Sequence, residues 1–304
     1  MLVLQQADRR RGVSTAKSKA RHQPRRRATF SHRVDSLIRQ RLFGLALGYE
    51  DLNDHHTLRH DLALQTAVGQ DAALASASTL CRWENRADRA TAWRLHEVLV
   101  EQFIASFRRA PKRLILDFDA TDDAVHGQQD GRFFHGYYDH YCFLPLYVFC
   151  GKQLLASYLR PSKIDGAKHA WAILALLVKR LRQTWPKVLI LLRADSGFCR
   201  WKMLRWCEGN GVKYIAGIAK NARLNAAAGH SLEAAEARHA HRGEKQRLFG
   251  WIEYGARAWD RSRRVIATAE HGETGSNPRF VVTSLGGDAQ DLYDKVYCAR
   301  GDME

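Results

Sequence analysis

Arg113-Leu114-Ile115-Leu116-Asp117-Phe118-Asp119-Ala120-Thr121 is where apolar residues begin to run in short blocks. Leu114, Leu116 and Phe118 alternate with the positions between them, so an extended strand sends Asp117 and Asp119 together to its other face. A carboxylate beside a buried strand is costly unless a cation or a donor compensates it. The stretch therefore reads as a core strand that also carries candidate site residues. Pro111 closes whatever precedes it.

Beyond this strand, residues 143–150 and 153–159 read as two more. The tight turn Gly151-Lys152 joins them into an antiparallel hairpin. A helix over 167–184 is predicted from Trp171, Ile173, Leu174, Leu177, Val178 and Leu181. Pro186 introduces a strand at 188–192, a short helix covers 201–208, and Gly209 and Gly211 lead into a strand at 212–218. The order is strand, hairpin, helix, strand, helix, strand. It predicts an α/β layer with a mixed sheet rather than purely alternating parallel units. A polar stretch at 220–245 follows, then strands at 248–254, 264–269 and 279–284. Residues 220–287 thus read as a β-rich insertion after the fifth strand, and 289–304 as a helix.

Before Pro111 the pattern is helical. Val34, Leu37, Ile38, Leu42 and Leu45 recur at three- and four-residue spacing, and a second helix is expected over 58–68. Ser76-Ala77-Ser78-Thr79 precedes Leu80, Trp83 and a turn, and a long helix is expected over 89–109. Residues 30–110 form an all-helical, basic domain on this reading, and 111–304 the α/β domain. Twelve Lys/Arg and two Asp within the first 41 residues carry +10 of the chain's net +16. Residues 1–29 have little apolar periodicity and read as a flexible basic arm, with Arg25, Arg26 and Arg27 as candidate phosphate contacts. Such an arm binds phosphates by counterion release without reading sequence; its bland alternative is a solvated tail.

Hydrophobic residues at 45% and charged residues at 26% suit a globular chain with an ample core, and they exclude disordered or collagen-like classes. No apolar run reaches the roughly 18 residues of a membrane span, and the N-terminus has no secretory h-region. Cysteines at 81, 142, 150, 199, 207 and 298 form no C-x-x-C pair. They spell neither a zinc site nor a disulfide framework, and a reducing cytoplasm is the simplest compartment. The positive charge points to a polyanionic partner, nucleic acid first.

Three acidic clusters end predicted elements. They are Asp117-Phe118-Asp119 with Asp122 and Asp123; Asp195 in Leu192-Arg193-Ala194-Asp195-Ser196-Gly197-Phe198; and Glu304 in Tyr297-Cys298-Ala299-Arg300-Gly301-Asp302-Met303-Glu304. Each alone reads as an ordinary loop aspartate or helix cap. Together, in a basic chain, they can converge at one sheet edge as a hard-oxygen site for Mg²⁺ or Mn²⁺. Two such ions about 3.5–4 Å apart serve phosphodiester chemistry.

On these stretches the chain resembles the DDE transposases of bacterial insertion sequences, in the group with a β-strand insertion before the catalytic glutamate. Leu116-Asp117-Phe118-Asp119-Ala120-Thr121 resembles the first motif and Asp195-Ser196-Gly197-Phe198 the second. Tyr297, Arg300 and Glu304 match the Y-x2-R-x3-E signature. Residues 48–54 and 78–85 look like the helical N-terminal region of one subgroup. The resemblance implies an RNase H-like core with Asp119, Asp195 and Glu304 as catalytic residues holding two Mg²⁺ (or Mn²⁺) ions. It also implies Tyr297 and Arg300 on DNA phosphates, double-stranded DNA ends and target as partners, a homodimer at synapsis, and a place at the bacterial nucleoid. Trp251 and Trp259, within the insertion, are candidates for a flipped base or plain sheet packing. The family signature continues with a lysine seven residues beyond its glutamate, whereas this sequence stops at Glu304. The expectation is thus a C-terminally truncated copy with impaired cleavage.

Two other readings compete. Asp117-Phe118-Asp119-Ala120-Thr121 literally matches the D-x-D-x-T phosphatase motif with Asp117 as nucleophile, although a hairpin at 143–159 argues against the parallel sheet it needs. A non-catalytic DNA-binding remnant is the other.

Overall fold

The computed structural model describes residues 2–20 and 32–303. The chain divides into two compact units, Met1–Ser106 and Phe107–Glu304. In the first, the helices are α1 (Leu2–Arg11), α2 (Val13–Ala20), α3 (Val34–Ala46), α4 (His55–Leu58), α5 (Leu62–Val68), α6 (Ala77–Glu84) and α7 (Arg89–Ala105). Side-chain oxygens of Asp61, Ser76 and Asp88 cap the backbone N–H groups that open α5, α6 and α7, each cap worth about 1 kcal/mol. Gly69, at φ +83°, closes α5 in the left-handed conformation. Phe43, Leu64, Val68 and Leu74 form one core cluster, and Leu37, Ile38, Leu80 and Trp83 a second. The buried Gln40 amide donates to the Ala75 carbonyl (2.9 Å) and accepts from the Ala75 N–H (3.0 Å), tying α3 to the segment before α6.

Residues 2–20 correct the expectation of a flexible arm over 1–29, because they fold as α1 and α2. Asp8 accepts from the Ser14 N–H (2.8 Å) and hydroxyl, and Arg39 lies 3.5 Å from the same carboxylate. Leu4 packs against the Phe43 cluster, and Ser14 is fully buried. These tertiary contacts supply what composition lacks, as most helix stability in proteins does. Arg25, Arg26 and Arg27 lie outside the described residues.

The second unit begins with β1 (Arg113–Ala120). An excursion follows, holding β2 (Asp123–Ala124), β3 (Phe133–His135) and β4 (His140–Phe143). Then come β5 (Leu146–Cys150), β6 (Gln153–Tyr158), α8 (Ala170–Thr184), β7 (Leu189–Ala194), α9 (Trp201–Gly209) and β8 (Lys213–Ile218). The expected strand over 143–150 is broken at Pro145, which has no N–H for a ladder, so β4 and β5 belong to different sheets. The main sheet runs β6-β5-β1-β7-β8. Here β1 is antiparallel to β5 and parallel to β7, and β7 is parallel to β8. This mixed sheet has the RNase H-like order that the resemblance implies. Leu174, Leu177, Val178 and Leu181 recur on one face of α8 and are buried, each contributing about 1.5–3 kcal/mol by leaving water.

The segment after β8 adds α10 (Ala222–Ala227) and α11 (Gly229–Arg242), then β9 (Gln246–Tyr254), β10 (Arg263–Gly272), β11 (Gly275–Ser276) and β12 (Arg279–Thr283). The polar stretch at 220–245 is thus helical. Asn221 caps it, Leu224, Ala228 and Ala235 are its buried residues, and Gly243 at φ +71° ends it. Strand β12 pairs with β8, and β10 lies between β12 and β9, so the insertion extends the core sheet. The chain returns through α12 (Ala289–Asp291), which continues as a π-helical turn Leu292–Tyr297 and a 3₁₀ segment Cys298–Met303. Ala289, Leu292 and Tyr293 seat this helix on Leu191, Ile215, Ile266 and Val281 of the sheet. Among the described residues no helix is long and apolar enough to cross a membrane.

Candidate active site

The two aspartates of β1 have different fates. Asp117 is 1% exposed, and Arg193 of β7 grips it with both arms of its guanidinium: Nε to Oδ1, and Nη2 to Oδ2 at 2.8 Å. Arg193 Nη1 also donates to the Val296 carbonyl at 2.7 Å, so one buried cation joins β1, β7 and the C-terminal helix. A buried pair of this kind holds position; removing either partner strands a charge. The Asp117 carboxylate is therefore committed to Arg193, which leaves no nucleophile for the phosphatase reading. The antiparallel β1–β5 pairing removes its parallel sheet as well.

Asp119, two residues on, reaches the open end of the sheet, and its side chain is 29% exposed. Register pairs Phe118 with Ala194 across parallel strands, so Asp119, the penultimate residue of β1, stands beside Asp195, the first residue past β7, where backbones lie about 4.8 Å apart. Asp195 caps the turn Ser196–Phe198 by accepting from the Gly197 N–H (2.9 Å). Arg300 Nη2, from the C-terminal helix, donates to Asp119 Oδ1 at 2.6 Å. The sequence-predicted Asp119, Asp195, Tyr297 and Arg300 thus share one edge of the sheet. Glu304 lies outside the described residues.

Tyr297 arrives over Gly217 of β8. A Cβ at Gly217 would lie 2.6 Å from the Tyr297 hydroxyl and 3.0 Å from the Ser196 N–H nitrogen, so this strand glycine admits a close approach. Burial pushes the Tyr297 phenol up to about 12, with Arg300 acting against the shift and Asp195 with it. It is a neutral donor at physiological pH.

Sequence reasoning missed three participants. Arg193 is a cation within a buried apolar strand, which signals an acid on a neighbouring strand. His140 Nε2 lies 2.7 Å from Asp122 Oδ2 and ties the excursion to the end of β1. Tyr138 is raised by burial and then by Asp122, Asp119 and Asp195, so these carboxylates act on one hydroxyl. Among the described residues no three His, Cys, Asp or Glu side chains converge as a metal cluster. The tryptophans of the insertion are engaged locally. Trp251 packs on the Leu191 cluster with Arg264 3.9 Å from its ring centroid, and Trp259 meets Tyr254 edge-on at 5.6 Å.

The family model described as "Transposase DDE domain group 1" matches residues 1–304. The chain belongs to this family of DDE-type transposases. No curated protein matches it. Among solved structures, the piggyBac transposase synaptic complex with hairpin DNA is similar at 11% identity and TM-score 0.42, over 91% of this chain. The transposase chain described here spans 57% of that protein's length.

Proposed function

We propose that this transposase-family chain cleaves DNA at insertion-sequence ends and joins the freed strand to target DNA, by divalent-metal phosphodiester chemistry. The observation that carries this reading is the pair of aspartates, Asp119 and Asp195, at the open ends of adjacent parallel strands, with Arg300 turned onto the first.

The residues fit a hard divalent cation. Both carboxylates are partly exposed oxygen donors, the kind Mg²⁺ or Mn²⁺ takes. The guanidinium on Asp119 supports a site that attracts positive charge. Asp119 and Asp195 would hold the metal, with Glu304 as the third ligand the sequence pattern names. A bound pair of such ions supplies Lewis acidity and lowers the pKa of attacking water.

The chain's own groups do the rest by positioning and charge neutralisation. Arg300, displaced from Asp119, is placed to donate to a phosphate oxygen beside the scissile bond. Tyr297, neutral and packed on Gly217 beside the Asp195 backbone, offers a hydroxyl donor at the same edge. The Arg25-Arg26-Arg27 cluster adds sequence-independent phosphate contacts. The partners on this reading are double-stranded transposon ends, target DNA and a second copy of the chain at synapsis.

The test is incubation of the purified chain with a duplex bearing the element's terminal sequence and Mg²⁺. A nick leaving a 3′-hydroxyl, followed by its covalent joining to a second DNA, supports the reading. Mg²⁺-independent binding without strand breakage favours the non-catalytic alternative.

A further inference from the structure

The excursion between β1 and β5 folds as its own small sheet, in order β2-β4-β3, and its two faces differ. Register pairs Phe133 with Cys142, Phe134 with Tyr141 and His135 with His140. One face carries His135, His140 and the buried Cys142, and is anchored by His140 on Asp122 and by the Ser162 hydroxyl on the Phe133 carbonyl (2.9 Å). The other face carries Phe134 and Tyr141, which meet edge-on at 5.7 Å yet stay 54% and 49% exposed. Arg132 stacks over Tyr141 at 4.3 Å, and Tyr137, 85% exposed, stands at the hairpin tip. Phe133, paired with Cys142, belongs to the anchored face, where Lys163 Nζ stands 5.4 Å from its ring.

Paired aromatics held on a strand scaffold and left in water are a costly surface unless something covers them. We propose that this face, Phe134, Tyr141 and Arg132 with Tyr137 at the tip, is a stacking platform for unpaired nucleotides of a DNA strand leading into the carboxylate site. The occupant follows from the chemistry. Aromatic rings accept any base by its π-face, and Arg adds a cation that serves ring and phosphate alike. A protein partner's apolar side chains would not call for the Arg132 cation stacked on Tyr141. Location argues the same way. The Asp122–His140 pair fastens the excursion beside Asp119, and Tyr138 next to the tip feels Asp119 and Asp195. Bases stacked there lie next to the site where a strand is cut, and holding them unpaired eases access to the scissile bond. The inference rests on the DNA-cleavage reading for its purpose but not for its binding.

The experiment uses the full chain and fluorescence anisotropy with a labelled oligothymidylate and a labelled blunt duplex. The Phe134→Ala/Tyr141→Ala variant should bind the single strand about tenfold more weakly or worse, change less than about twofold on the duplex, and keep the wild-type Tm. The conservative Phe134→Tyr/Tyr141→Phe variant should restore single-strand binding. If the alanine pair does not fold, Tyr137→Ala, at the exposed tip, takes its place. Equal losses on both DNAs, no loss on the single strand, or no single-strand binding by the wild type would overturn the platform. So would self-association of the wild type that the alanine pair abolishes, since a second copy would then cover the face. Asp119→Asn separates the two readings: it should lose nicking and keep single-strand binding. Normal platform binding in a chain that never nicks DNA would sink the cleavage reading and leave the platform standing.

Discussion

Arg300 Nη2 donates to Asp119 Oδ1 across 2.6 Å, so a cation of the C-terminal helix rests on the carboxylate proposed to hold metal. The two roles compete. Arg300→Ala should free Asp119 and tighten Mn²⁺ binding by up to about fivefold, the scale of a partly exposed ion pair, while slowing DNA nicking. Calorimetric Mn²⁺ titration beside a nicking assay reads both signs. Unchanged metal affinity would mean that the guanidinium does not guard the site.

Asp117 and Asp119 should separate by stability. Asp117→Asn breaks a buried bidentate pair with Arg193 and should cost about 3–5 kcal/mol. Asp119→Asn, at a partly exposed pair, should cost no more than about 1 kcal/mol. Urea unfolding of both variants checks this, and comparable losses would contradict the division of labour between structural and site aspartates.

Gly217→Ala places a Cβ against the Tyr297 hydroxyl and the Ser196 backbone. It should destabilise the chain by about 1–3 kcal/mol, as overpacking does. Adding Tyr297→Phe removes the nearest atom and should recover part of that loss. A double variant no more stable than the single would show that the Ser196 backbone, not Tyr297, sets the constraint.

The join between α9 and the insertion should be acid-sensitive. Burial alone would raise the Glu208 carboxyl, but hydrogen bonds from Arg263, Tyr214 and Arg261 hold it below its ordinary 4.5. A carboxyl lowered by folding stabilises fully above its unfolded pKa and loses that contribution as pH falls through the folded value. Glu208→Gln should therefore reduce stability at neutral pH and flatten the acid limb of a stability–pH profile. An acid limb as steep as in the wild type would remove Glu208 as its source.

Much of the core sheet was legible because its strands are apolar runs bounded by Pro111, Gly151, Pro186 and Gly211. What escaped depends on distant partners. The Asp117–Arg193 pair spans 76 residues of sequence, and neither residue alone announces it. Strands β2, β3 and β4 are two to four residues long, too short for a period to register. Helices α1 and α2 owe their form to Leu4 and to the Asp8–Ser14–Arg39 contacts rather than to an apolar stripe. The aspartates at the sheet edge were legible as a pattern, whereas their separation into a gripped Asp117 and an open Asp119 required the fold.

On the proposed function, Asp119 and Asp195 act together as the metal-holding pair. The most direct test is single-turnover nicking of an end-containing duplex in Mg²⁺ by the wild type, Asp119→Asn and Asp195→Asn, each with its Tm recorded. Either substitution should slow nicking by at least about 100-fold with the fold intact, and the double variant should be scarcely slower than the singles. Nicking at the wild-type rate in either folded variant would contradict this joint role.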